Sequence, residues 1–220
     1  MADSDIATHS IVAHQFEDLE QQRDAGTLGM WIFLATEIMF FGGMFTAYTV
    51  YRSLHALAFA EVSQHLDIVL GTVNTVVLIC SSFTMALAVY GAQTGRRRML
   101  ILCLLLTIAL GLVFLGIKFA EYHHKFEEHH VPGLSFHYPG PYGQEAAMFF
   151  SLYFAMTGVH ALHMIIGIGL LSVLVYLALR GRFTVEYNHP VELSGLYWHF
   201  VDIIWIFLYP LLYLIGRHLR

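Results

Sequence analysis

The sequence predicts an all-α fold, a bundle of five transmembrane helices. Three observations carry that reading. The 220 residues are 57% hydrophobic and only 12% charged, against about 25% charged in soluble domains. Five apolar stretches are each long enough to cross a hydrocarbon core of about 30 Å. Ionisable residues nevertheless recur deep inside those stretches, where they are expensive and mark specific contacts.

The spans are predicted at residues 28–51, 68–92, 99–120, 146–179 and 193–215, all within one domain, 28–220. Residues 1–27 are polar and acidic and read as a tail on the membrane surface, with no apolar signal-peptide core. The first span carries Glu37. The second lies between Asp67 and Arg96. The fourth is uncharged and longer than a crossing needs, so it tilts or protrudes. The fifth contains His199 and Asp202. Aromatic residues crowd several span ends, as interfacial belts do. Cys80 and Cys103 fall inside apolar spans and read as small core residues, with no disulfide.

Arg96-Arg97-Arg98, between the second and third spans, is the basic run that sets orientation. The positive-inside rule places that link, together with Arg180 and Arg182, in the cytoplasm. The N-terminus is then cytoplasmic, the C-terminus periplasmic, and the segment 121–145 outside. The same arginines are candidate contacts for lipid headgroups. A net charge of −5 with no compensating basic patch argues against nucleic-acid binding.

The buried ionisable groups form a pattern. Glu37 and Asp202 each lie about nine residues into spans of the same direction, or roughly 14 Å at the helical rise. His160 and His163 lie near the middle of the fourth span, on one face with Gly167. Glu192, His199 and Asp202 share a face of the fifth. These six, Glu37, His160, His163, Glu192, His199 and Asp202, are the expected intramembrane polar network. The residues alone leave three readings open: a metal or haem site, a proton or ion pathway, or interhelical hydrogen bonds that fix the bundle. Outside, Glu121-x-x-His124 with His123, His129, His130 and His137 resembles metal-ligand spacing, but Pro132-Gly133 and Pro139-Gly140-Pro141 suit a solvated, turn-rich loop.

Several of these runs resemble one family, subunit III of the haem–copper oxidases. The glutamate run Trp31–Gly42, Asn74-Thr75 with Ser81-Ser82, Phe114–Tyr122, and Gly158–His163 with Gly167 occur in the family's order. So does the most specific run, Tyr197–Tyr209, with Glu192 seven residues before His199. The chain is similar to the short bacterial type with five helices, without the two N-terminal helices of longer members. Lys118 stands where the family often has glutamine, and Ala161 where it often has glycine.

The resemblance implies a non-catalytic subunit of a proton-pumping oxidase in a bacterial inner membrane. Its partners would be subunits I and II, which carry the haem and copper, with a small subunit IV or a larger respiratory supercomplex as further partners. It implies bound phospholipid, support for proton uptake, and no cofactor or metal in this chain. The electron donor, cytochrome c or quinol, is a property of other subunits. The alternatives are an accessory subunit of a nitric oxide reductase, or a self-contained transporter or membrane metalloprotein.

Overall fold

The computed structural model describes residues 15–133, 136, 138 and 140–214. Its elements are α1 (Leu19–Leu54), α2 (Ala56–Val62) with a 3-10 turn at Ser63–His65, α3 (Ile68–Gln93), α4 (Arg97–Glu127), α5 (Gly143–Leu179) and α6 (His189–Tyr209), which runs into a π-helical turn at Pro210–Leu214. No strand occurs among the described residues. Five helices are long and apolar enough to cross a membrane: α1, α3, α4, α5, and α6 with its π turn. The chain divides into two compact units, Met1–Met39 and Phe40–Arg220.

In the first unit, α1 opens on a reciprocal cap. Gln21 N donates to Asp18 Oδ1 at 2.7 Å, and Glu17 N donates to Gln21 Oε1 at 2.8 Å. That cap starts the helix at Leu19, so part of the expected surface tail is helical; residues 1–14 of the tail lie outside the described residues.

In the second unit, α3, α4, α5 and α6 close a ring: α4 packs on α3 and α5, and α6 packs on the same two. Helix ends follow from local chemistry. Asp67 caps α3 by accepting from Val69 N and Leu70 N at 2.8 and 3.2 Å. At the far end of α3, Gly95 takes φ +68° and Arg96 N reaches back to Gly91 O at 2.8 Å. The same closure ends α4, where the left-handed position is filled by His129 at φ 57°, with His130 N on Lys125 O at 3.1 Å. Thus α4 continues beyond the expected limit at residue 120, because Glu121 and Lys125 are buried side chains of the helix rather than the start of a loop.

Trp198 of α6 is the central packing element of the ring. Its indole lies against Gly111 of α4 and Gly167 of α5, where an added Cβ would come within 2.9 and 3.0 Å of ring atoms. Its Nε1 donates to Ser81 Oγ of α3 at 2.8 Å. One side chain therefore touches all three neighbouring helices. The two glycines allow that approach, as small residues do wherever helices associate in lipid. Cys103 is buried in α4, but Cys80 is exposed on α3, which corrects its assignment to the core. Cys80 lies one position before Ser81, whose side chain turns inward to Trp198.

Two substitutions test this packing. Gly167→Val should destabilise the purified chain by about 1–3 kcal/mol through overpacking on Trp198. His129→Gly should stabilise it by up to about 1 kcal/mol by relieving the left-handed backbone. Both are read from thermal or denaturant unfolding.

Candidate functional site

The sequence-predicted polar residues distribute over several environments. His160, fully buried on α5, lies between Phe114 of α4 and Trp205 of α6, with ring centroids 5.4 and 5.2 Å away. Neither of its ring nitrogens has a hydrogen-bond partner among the described residues. His163 bonds its own helix, Nδ1 donating to Val159 O at 2.9 Å, and packs against Phe41 at 5.4 Å. Tyr197 OH reaches the backbone oxygen of His163 at 3.0 Å, tying α6 to α5 there. Trp205 Nε1 donates to Thr75 Oγ1 at 3.1 Å, tying α6 to α3.

His199 and Asp202 come together with Ser82 of α3. Ser82 Oγ and His199 Nδ1 are 2.8 Å apart. Asp202 is only 3% exposed; the Ser82 hydroxyl interacts with its carboxyl, but neither oxygen has a hydrogen bond of full geometry among the described residues. The three line a cavity of about 390 Å³ between α3 and α6. Glu192 shares their helix face but bonds elsewhere: Gln93 Nε2 at the end of α3 donates to it at 2.7 Å. Glu37 belongs to the first unit and is half-buried on α1.

The most fully bonded ionic group lies where the sequence reading did not look for one. Lys118 Nζ donates to Glu121 Oε2 at 2.9 Å, Tyr213 OH at 3.0 Å and Tyr153 OH at 3.1 Å. Both tyrosines then donate to Glu121 Oε1, at 2.6 Å from Tyr213 and 2.8 Å from Tyr153. Lys118 and Glu121 are 3% and 4% exposed. All three ammonium protons are used, and the carboxylate accepts three bonds. The group joins α4, α5 and the π turn. Its sequence signal is a lysine followed three residues later by a glutamate at the end of an apolar run, where Glu121 reads as the start of a loop.

A second group caps α4. Lys125 Nζ bonds His65 O at 2.8 Å and Glu128 Oε2 at 2.6 Å, and His130 Nδ1 meets the same carboxylate at 3.0 Å. His124 Nε2 is 3.1 Å from Glu128 Oε1. The His130 ring stacks on Phe150 at 5.0 Å and is only 6% exposed. This corrects the expectation of a solvated loop for Lys125 and His130, which are anchored parts of the core; His137 lies outside the described residues. Burial alone would raise the Glu128 carboxyl, but the bond and charge of Lys125, with His124 and His130, hold it below its ordinary value. Burial pushes the His130 imidazole down, and Glu128 offsets that only in part. Among the described residues, no three His, Cys, Asp or Glu side chains converge as a metal site requires.

At the opposite end of the ring, Arg97 Nε donates to Ala178 O at 2.9 Å, and its Nη2 bonds Leu179 O. It thereby satisfies carbonyls at the α5 C-terminus, where a cation also suits the helix dipole. Arg96 lies over Tyr90 and Arg180 over Tyr176, 5.9 and 4.9 Å from the ring centroids.

These features define a multi-pass helical membrane protein whose interior polar groups join helix to helix. The profile of the family described as cytochrome c oxidase subunit III matches residues 5–217. The chain belongs to that family, the third subunits of the haem–copper oxidases. It is 33% identical over 195 residues to a cytochrome c oxidase subunit 3 of Thermostichus vulcanus, covering 88% of this chain and 89% of that protein. It is 31% identical to a quinol oxidase subunit 3 of Bacillus spizizenii, covering 90% and 92%. A probable quinol oxidase subunit 3 of Staphylococcus haemolyticus is 30% identical, covering 86% and 88%.

The cap on α4 predicts a pH effect. A depressed Glu128 contributes stability that is present above the ordinary carboxylate value of 4.5 and lost as pH falls through its lower folded value. A depressed His130 acts in the same sense, its contribution being lost as pH falls from 6.5 through the folded value. Amides at the end of α4 should therefore exchange faster at pH 5 than at pH 7, after correction for intrinsic rates. His130→Phe should remove the part of that change that begins near 6.5.

Proposed function

We propose that this chain is the accessory third subunit of a proton-pumping terminal oxidase that reduces oxygen to water. It packs against subunit I, binds phospholipid and supports proton uptake. The observation that carries the reading is the family match from residue 5 to residue 217, together with relatives that align with nearly their whole length. Haem and copper belong to subunits I and II in this reading. Relatives named for cytochrome c oxidase and for quinol oxidase match at 33% and 31% identity, so both donors stay open. A subunit IV or a larger supercomplex would be further neighbours in a bacterial inner membrane.

Glu37, His160, His163, Glu192, His199 and Asp202 are proposed as the chain's intramembrane polar groups. Glu37, a carboxyl within a membrane-spanning helix, is proposed either to support proton uptake or to join the helices by a hydrogen bond. Phe33, Phe40 and Phe41 lie three or four residues away, so its stretch of sequence is apolar. Arg96, Arg98, Arg180 and Arg182 are proposed to meet lipid headgroups on the cytoplasmic side. Arg97 is a poorer candidate, because its guanidinium already serves the end of α5. In support of one common side, the α3–α4 and α5–α6 links meet at the same end of the ring through Arg97.

Two outcomes are expected. In the assembled oxidase, Glu37→Ala should leave initial turnover near normal and speed inactivation during sustained turnover. Immediate, complete loss with the subunit still bound would make Glu37 an obligatory proton carrier; no change in rate, lifetime or assembly would make it a bystander. Single cysteines at positions 98 and 182, in a background without Cys80 and Cys103, should react with impermeant reagents only from the cytoplasm. One at position 129 should react only from outside. Labelling of 98 and 129 from one side contradicts the orientation.

A further inference from the structure

We propose that the cavity between α3 and α6 is a binding site for a small membrane-soluble molecule with an apolar body and a hydroxyl head. The cavity holds about 390 Å³, within the range of small-molecule sites. Leu78, Phe83, Ala86, Ile203 and Ile206 form its apolar walls. Phe83, Ala86, Ile203 and Ile206 are also exposed, so the cavity opens on the outer face of the ring, toward the hydrocarbon.

The polar groups lining it are Ser82, His199 and Asp202. Ser82 and His199 are engaged with each other through Oγ and Nδ1. That leaves His199 Nε2 available for a second partner. Asp202 is almost completely buried; the Ser82 hydroxyl interacts with its carboxyl, but neither oxygen has a hydrogen bond of full geometry among the described residues. A buried carboxyl with most of its hydrogen-bonding capacity unmet is costly, and native interiors rarely leave one so. A ligand hydroxyl can donate to the carboxylate, or accept from a protonated carboxyl, and in either case interact with the imidazole beside it.

Depth and charge narrow the ligand further. Asp202 lies 13 residues from His189 and 12 from Leu214, or about 20 and 18 Å along the helix. The head would sit near mid-membrane, beyond the reach of a phospholipid headgroup. No Lys or Arg lines the cavity to hold a phosphate, and a carboxylate would repel one. A hydroxylated ring such as a quinol and the free hydroxyl of a diacylglycerol both carry the required chemistry.

The test uses the full chain in phosphatidylcholine nanodiscs and a photoreactive diazirine fatty alcohol as probe, with labelled residues mapped by mass spectrometry. The expected result is saturable labelling on residues 79–86 and 203–206. Asp202→Leu should weaken apparent affinity about tenfold, the loss expected for one strong hydrogen bond. Ala86→Trp, on the exposed rim, should block labelling while leaving the polar groups intact. Competition by decylubiquinol assigns the head to a quinol, and competition by dioleoylglycerol assigns it to an acylglycerol. Failure of both competitors overturns the proposal. So does equal competition by the dimethyl ether of decylubiquinol, or labelling unchanged in both variants, since each marks an unspecific tail niche.

Discussion

The structure depends first on an ion pair removed from water. Lys118 and Glu121 are one turn apart on α4, with charges that cannot be left unpaired in a low-dielectric interior. Their solution is closure: each tyrosine hydroxyl accepts from the ammonium and donates to the carboxylate. Tyr153 comes from α5 and Tyr213 from the π turn, so meeting the pair's hydrogen bonds also fixes where those two elements lie. The consequence extends along the chain. Tyr48 OH bonds Leu211 O at 2.9 Å in the same turn, which anchors the last turns of α1. The Trp205 ring, 5.2 Å from Lys118 Nζ, continues the contact to Thr75 on α3.

Lipid removes the usual driving force for assembling such a ring, because helix surfaces are as comfortable against acyl chains as against one another. Close packing and hydrogen bonds must supply it instead. Trp198 shows the first: two glycines let one indole reach three helices. The second is distributed by depth. Glu192 with Gln93 holds one end, Trp198 with Ser81 the middle, and Lys118 with Glu121 the other end. His160 and Asp202 are both buried with hydrogen-bonding capacity unmet among the described residues, but Asp202 alone of the two lines a cavity, which is why a ligand rather than a helix contact is assigned to it.

Much of this was legible in the sequence because hydrocarbon imposes simple rules. Span number follows from apolar length, and the charged residues Asp67 and Arg96 bound the second span. The common face of His199 and Asp202 follows from helical period. What was not legible is where charge ends a span. Glu121 reads as the first residue of a loop until its partner at Lys118 and two tyrosines, distant in sequence, are placed around it. Lys125 and His130 were misread for the same reason: their partners are a backbone carbonyl at His65 and a ring at Phe150. Cys80 was misplaced because an apolar span has no polar face to show which side is inward. The partner of Glu192 was unreadable too, since helical period gives a shared face but not which residue on the next helix reaches it.

The dependence of the fold on the ion pair is tested most directly by a double-mutant cycle on Lys118 and Glu121, read from unfolding of the purified chain. Lys118→Met and Glu121→Gln should each cost about 3–5 kcal/mol, since each leaves a buried group without its partner. The double variant should cost clearly less than the sum, because no buried charge is left alone. Additive losses, or single variants within about 0.5 kcal/mol of the parent as at ordinary surface sites, would contradict the role given to the pair.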